Sequence, residues 1–167
     1  MISRLNLTLN DVAELITDKT PIDNLSCTNY ISTSNMLRGF RGIKQIDKLP
    51  EKGNATIFKR DDTLFSNIRV YFQKVWLADF GGGSSTDVLV FRAKKDKIHP
   101  LYLNSLIANS NFTKYAVSVS NGAKMPRADK QALLEYPIHL PPIEIQIKEI
   151  GIIKSINDEI SNRSQSD

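Results

Sequence analysis

Residues 63–92 read TLFSNIRVYFQKVWLADFGGGSSTDVLVFR, and the rest of the chain is organised around them. They hold the sole tryptophan, Trp76, and the densest glycine run. Two apolar runs, 70–78 and 88–91, flank residues 81–85, whose composition predicts a turn. Val88, Leu89, Val90 and Phe91 form an unbroken apolar run, which suits a strand buried on both faces. Arg69, Lys74 and Arg92 punctuate the stretch and place polar groups at its ends and edges.

Immediately upstream, residues 55–59 predict a strand, 60–62 a turn and 63–68 the returning strand. Asp61 and Asp62 resemble a carboxylate pair, but turn chemistry accounts for them, because Asp readily bonds its own backbone there. Towards the N-terminus, Leu5, Leu7 and Leu9 alternate with polar residues and predict a short strand. Asn10 then caps a predicted helix running to about Ile16, with Asp11 near the positive end of its dipole. Tyr30–Thr33 predicts another short strand. Between Ser34 and Gly53 stand Arg38, Arg41, Lys44, Lys48 and Lys52, with Phe40 among them. That pattern suits a phosphate-tracking loop; it equally suits a solvated loop, since Asp47 and Glu51 dilute the charge.

Downstream, Pro100 opens a predicted helix with Leu101, Leu103, Leu106 and Ile107 on one face. A second helix follows from Asn111, and Asn121 and Gly122 stop it. Residues 127–135 predict a third helix and 136–140 a strand. After Pro141 and Pro142 a long helix runs to about Ser161. Its isoleucines fall in two sets on a helical wheel: Ile143, Ile147 and Ile150, then Ile145, Ile152, Ile153, Ile156 and Ile160. Two offset stripes imply that the first turns dock on the globular part while later turns face a partner.

The 167 residues suffice for one domain with its own core, and the apolar and charged fractions, 41% and 24%, are those of a globular protein. The net charge of +4 is a mild basic bias, compatible with a polyanionic partner and equally with none. The single cysteine, Cys27, cannot form an internal disulfide, which points to a reducing compartment, and a cytoplasmic protein is expected. No apolar run reaches the about 20 residues that span a bilayer.

Motifs for catalysis are missing. The run Gly81–Ser85 lacks the Gly-Lys-Ser/Thr of a nucleotide loop, and no Gly-x-Gly-x-x-Gly or Gly-x-Ser-x-Gly elbow occurs. One cysteine and the distant His99 and His139 have no zinc spacing. The polar groups that remain suit DNA: Arg can bridge guanine O6 and N7, and Asn can bridge adenine N6 and N7.

Several segments in order carry a family resemblance. They are Tyr30–Thr33; Leu64–Arg69 with Gly82–Asp87 and Val90–Arg92; Gly122–Asp129; and Tyr136–Gln146. Together they resemble the target-recognition domain of type I restriction–modification specificity subunits, over nearly the whole chain. The resemblance implies an α+β fold: one recognition domain with a mixed β-sheet and short helices in residues 1–140, then a C-terminal helix for spacing or dimerisation in 141–167. It implies sequence-specific DNA recognition without catalysis. Implied partners are double-stranded DNA, modification and restriction subunits, and a second copy or another specificity chain, with no membrane. No cofactor is expected here, S-adenosylmethionine belonging to the partner modification subunit. The chain departs from the family in having one recognition domain, no internal repeat and a shorter helix, which suggests a half-subunit or a truncated form.

On this reading Asn67, Arg69, Lys74, Lys124, Arg127, Arg38 and Arg41 are the expected DNA contacts. Lys124 and Arg127 flank a Pro-stiffened turn, which lowers the entropy lost on docking. Arg69 or Arg127 could instead bond backbone carbonyls or an acid such as Asp87 or Asp129. Ile145, Ile152, Ile153, Ile156 and Ile160 are the expected partner contacts. The rival readings are a small nuclease or methyltransferase, disfavoured by the missing motifs, and an interaction module or decoy that binds modification subunits without reading DNA.

Overall fold

The computed structural model describes residues 5–166; in the last helix the side chains of several residues, Ile153, Ile156 and Ile160 among them, lie outside the description. The chain begins with β1 (Leu5–Thr8) and one helical turn, α1 (Leu9–Val12), where the Thr8 N–H donates to Asp11 Oδ2 at 2.8 Å. The expected helix to Ile16 does not form. The chain extends at once as β2 (Ala13–Leu15), since Val12, Leu15 and Ile16 fit a short strand as well as a helical stripe. Next come β3 (Lys19–Pro21), β4 (Tyr30–Ile31), β5 (Asn54–Phe58) and β6 (Thr63–Ser66). A 3-10 turn at Val70–Phe72 precedes β7 (Val75–Leu77), β8 (Gly82–Ser84) and β9 (Val88–Ala93).

Helices α2 (Pro100–Ile107) and α3 (Ser110–Ser118) follow. The first starts at Pro100 as expected, and His99 caps it by accepting the Leu101 N–H on Nδ1 at 3.1 Å. A hairpin, β10 (Ser120–Asn121) with β11 (Arg127–Ala128), takes the first residues of the helix expected at 127–135. Only α4 (Lys130–Leu134) is helical there, because Asp129 caps it by accepting the Ala132 N–H at 2.8 Å. Strand β12 (Pro137–Leu140) pairs antiparallel with β1, and α5 (Ile143–Ser166) closes the chain.

The central sheet has the order β2-β9-β6-β7 and is antiparallel throughout. The unbroken run at Val88–Phe91 is buried on both faces, as its pattern predicts. Leu89, Phe91 and Phe65 join a helix-side core with Leu9, Leu103, Phe112 and Leu133. Val88, Val90, Leu64 and Trp76 face the other way and meet Ile31 and Phe58 from a second sheet, together with Met36 from the loop after β4. Phe65 packs edge-on against both Phe91 and Phe112, at centroid distances of 6.4 and 5.5 Å. Burying a side chain of this size contributes about 1.5–3 kcal/mol, so these two cores carry the fold.

The second sheet runs β3-β5-β8-β4, parallel only between β4 and β8. Here the structure departs from the expected turn at 81–85. Residues 82–84 are a strand inserted between β5 and β4, and glycine is what lets it fit. A Cβ on Gly82 would lie 2.0 Å from the Asn29 carbonyl oxygen, and one on Gly83 would lie 2.6 Å from Leu25 Cδ1. The glycines therefore serve close strand packing, not reversal of the chain.

The last helix docks through a face different from the expected one. Ile150 is buried, but Gln146 replaces Ile147 as its companion: Gln146 is 1% exposed and Ile147 54%. The Gln146 Oε1 accepts the His99 N–H at 2.9 Å, and Nε2 donates to the carbonyls of Pro141 and Lys97 at 3.0 and 3.3 Å. Those three bonds satisfy a buried amide and turn the helix so that Ile147 points outward. No described helix is long and apolar enough to cross a membrane.

Candidate nucleic-acid interface

The run at residues 70–78 predicts a strand, yet its first third is the 3-10 turn Val70–Phe72. Both flanking residues, Arg69 (φ 50) and Gln73 (φ 55), are left-handed, which is rare outside glycine. The turn is held from two sides. Residues 37–40 dock on it through Gly39 N–H to the Phe72 carbonyl (3.0 Å) and Phe40 N–H to the Gln73 carbonyl (2.8 Å). From the opposite side the Arg69 N–H donates to the Pro126 carbonyl at 3.0 Å. Left-handed backbone of this kind persists only where its surroundings fix it, and it concentrates at functional sites.

This docking gathers cations around one ring. The Arg38 guanidinium lies 3.7 Å from the Phe72 centroid, and Arg69 Cζ and Lys74 Nζ each lie 6.0 Å from it. Arg41 is beside them, its Nε donating to the Arg38 carbonyl at 2.9 Å. Lys74 Nζ donates to the Thr33 carbonyl at 2.6 Å. Burial holds the Lys74 ammonium below its ordinary value, and repulsion from Arg38, Lys44 and Arg69 adds to this. No ion pair among the described residues joins these cations to a carboxylate. They form a shelf of uncompensated positive charge.

The β10–β11 hairpin forms the other wall. Gly122 (φ 114) makes its turn, where a side chain would be strained. The Lys124 carbonyl accepts Arg69 Nε at 3.4 Å, and the Lys124 side chain is exposed. Arg127 pairs with Asp87 at 3.1 Å, with side-chain exposures of 50% and 38%. An exposed pair is worth about 0–1 kcal/mol, so Arg127 can exchange Asp87 for another acceptor at little cost.

Asn67 is placed differently from the expectation. It is buried, its Nδ2 donates to the Ala128 carbonyl at 3.0 Å, and its Oδ1 accepts the Ala128 N–H at 3.1 Å. One side-chain amide thus completes a rung with one backbone residue and ties the hairpin to β6. In this position Asn67 has no edge to offer a base. The other six expected contacts fall on two connected elements: Arg38, Arg41, Arg69 and Lys74 on the shelf, and Lys124 and Arg127 on the hairpin that Arg69 bonds. Lys44, Tyr71 and Phe72 complete the patch; the two aromatics were hidden in a run that reads as a strand. Of the expected partner contacts, Ile152 is 63% exposed and Ile145 half-buried; the side chains of Ile153, Ile156 and Ile160 lie outside the described residues.

The ion pair between Arg92 and Asp62 is structural. Arg92 Nε and Nη2 donate to Asp62 Oδ1 and Oδ2, both at 2.8 Å, and Asp62 also accepts the Lys59 N–H, which confirms the turn role expected for it. No group of His, Cys, Asp and Glu among the described residues could hold a metal ion.

The chain is thus a mixed α+β body with a shelf of cations that make no ion pair among the described residues, followed by the long helix α5. Residues 6–166 match the family model for the type I restriction modification DNA specificity domain, and the chain belongs to that family. Three solved structures share its fold. A chain from work on complex assembly and conformational transition of the type I R-M system matches at a TM-score of 0.71 and 17% identity, over 98% of this chain and 44% of that one. The HsdS subunit from Thermoanaerobacter tengcongensis gives 0.69 and 18%, also over 98% and 44%. The S subunit of a type I system from M. genitalium gives 0.52 and 16%, over 95% and 40%. This chain therefore spans less than half the length of the structures it matches. No curated protein matches its sequence.

Proposed function

We propose that this chain recognises a DNA sequence as the specificity component of a type I restriction–modification system, and that separate subunits perform methylation and cleavage. Family membership supports the reading, and one observation carries it: Arg38, Arg69 and Lys74 stand around Phe72, Lys44 is near enough to repel Lys74, and among the described residues none of the four has an ion pair to a carboxylate. Like charges held together cost free energy unless a polyanion joins them, and phosphates spaced along a duplex are such a partner. On this reading the chain has no catalysis and no cofactor of its own; S-adenosylmethionine belongs to the modification subunit. It works in the cytoplasm. Exposed Ile147 and Ile152 on α5 give a second specificity chain, or a modification subunit, an apolar strip to bind.

The test is the salt dependence of duplex binding by the full chain assembled with modification subunits. Each phosphate contact adds about 0.9 to the slope of log affinity against log salt. Four contacts give a slope of about 3.6, or about a 150-fold loss between 50 and 200 mM salt. The Arg38→Ala, Lys74→Ala double variant should fall to about a 12-fold loss over the same range. An unchanged slope in that variant removes the shelf from the DNA and favours an interaction module that does not read sequence.

A further inference from the structure

Among the described residues, five large apolar side chains are markedly exposed: Tyr71 52%, Val117 45%, Met125 45%, Ile147 54% and Ile152 63%. Two are on α5. The other three sit on three elements that meet at the 3-10 turn. Tyr71 lies within the turn and packs edge-on against Phe72 at 4.8 Å. Met125 adjoins Pro126, whose carbonyl receives the Arg69 N–H. Val117 lies one helical turn beyond Thr113, whose Oγ1 accepts Gln73 Nε2 at 3.3 Å. Apolar surface gathered in this way marks a contact site. The patch adjoins the basic shelf: Tyr71 packs on Phe72, the ring that Arg38, Arg69 and Lys74 surround, and Met125 follows Lys124 directly in the chain.

Charge complementarity fixes the kind of occupant. The adjoining cations suit the phosphates of a duplex, and apolar side chains beside phosphate contacts are within reach of the base edges in a groove. In the major groove the base edges offer donors and acceptors and a single apolar group, the 5-methyl of thymine. The carrier is also rigid: the left-handed residues 69 and 73 and the three backbone bonds above fix the turn before any ligand arrives, so little entropy is lost on docking. Resting on the DNA-binding reading above, we propose that Tyr71 and Met125 are specificity-determining residues that touch the base edges and select thymine through its 5-methyl group. Arg38, Arg69 and Lys74 supply affinity without sequence preference; Tyr71 and Met125 supply preference with little effect on charge.

The experiment exchanges thymine for uracil, which removes the methyl group and leaves every base-pairing group in place. The full chain with modification subunits selects its preferred duplex from a randomised pool. That duplex is then made with uracil at each thymine in turn. Wild type should bind about fourfold more weakly at each position whose methyl it contacts, the equivalent of one buried methylene. The Tyr71→Ala, Met125→Ala double variant should bind the thymine and uracil forms equally, with its salt slope unchanged; Tyr71→Phe should still discriminate. Both side chains are about half exposed, so the fold should survive, and a circular dichroism melt checks it. The proposal fails if wild type treats the two duplexes alike, or if the double variant still distinguishes them. It also fails if the double variant releases the modification subunit while keeping its DNA preference, which would make the patch a protein interface. The salt slope is independent of the methyl exchange: a normal slope with no methyl effect refutes the role of Tyr71 and Met125 alone, and an absent slope refutes DNA binding.

Discussion

Replacing Asn67 by Ala separates scaffolding from reading. Both polar ends of the Asn67 amide bond the backbone of Ala128, a residue only 4% exposed. Truncation leaves the Ala128 N–H and carbonyl without these partners, and a buried orphan costs about 1–3 kcal/mol each. The hairpin lies at the surface and can relax toward water, so the expected loss is about 3 kcal/mol, at the lower half of the sum. In a chain of this size that lowers the melting temperature by about 6–12 °C. Urea unfolding at fixed temperature gives the free energy directly, and base preference measured well below the melting point gives the second readout. Asn67→Asp should also destabilise, because it keeps the acceptor for the Ala128 N–H but sets a carboxylate against the Ala128 carbonyl. If Asn67→Ala left stability within about 0.5 kcal/mol of wild type and shifted preference at one base pair, the staple would be wrong and Asn67 would be a reader after all.

Three other outcomes follow from the packing. Gly82→Ala drives a Cβ to 2.0 Å from the Asn29 carbonyl and must push β4 and β8 apart; it should cost several kcal/mol or abolish soluble expression, whereas Gly39→Ala, with nothing within 4 Å, should cost only the strain of its positive φ, and paired melts compare the two. Arg92→Ala strands the buried Asp62 carboxylate and should cost about 2–4 kcal/mol, less than a fully buried pair because Arg92 is 28% exposed, while Asp62→Asn should cost less; denaturant titration ranks them. The Thr8 N–H, its hydroxyl and nearby Lys94 and Lys97 hold the Asp11 carboxyl below its ordinary 3.8, so its contribution is intact above that value and is lost as pH falls through the lower folded-state pKa; wild type should lose stability there more steeply than Asp11→Asn.

The sequence is most informative where burial is simplest. The run at Val88–Phe91 reads as a strand covered on both faces because it is short, rich in β-branched and aromatic residues and bounded by turn residues. Pro100 with its leucines, the strands at 54–66 and the strand at 137–140 are likewise legible from local pattern. Local periodicity fails where backbone partners decide: residues 13–15 extend because β9 offers them a ladder, and Arg127 and Ala128 pair with β10 instead of starting a helix. The glycine run misleads because close approach of strands and reversal of the chain both demand glycine. At the candidate site, basic residue types identify the cations, but not their convergence on Phe72. That convergence depends on residues 37–40 docking onto a left-handed turn, a conformation no propensity predicts for Arg69 and Gln73. Asn67 shows the converse, a residue type suited to adenine that the fold uses internally.

Trp76 stands in the core between the two sheets, 5.8 Å from Phe58 and 5.0 Å from Phe80, and the chain has no other tryptophan. The helix-side core holds Phe65, Phe91 and Phe112 but no indole. Intrinsic emission therefore watches one core alone, and ellipticity watches the helices together, α2, α3 and the longer α5. If sheets and helices part together, the two melts superimpose; if the glycine-lined second sheet peels away first, fluorescence will change while the helices still absorb as folded, and the molecule will have reported its own order of disassembly without any label attached.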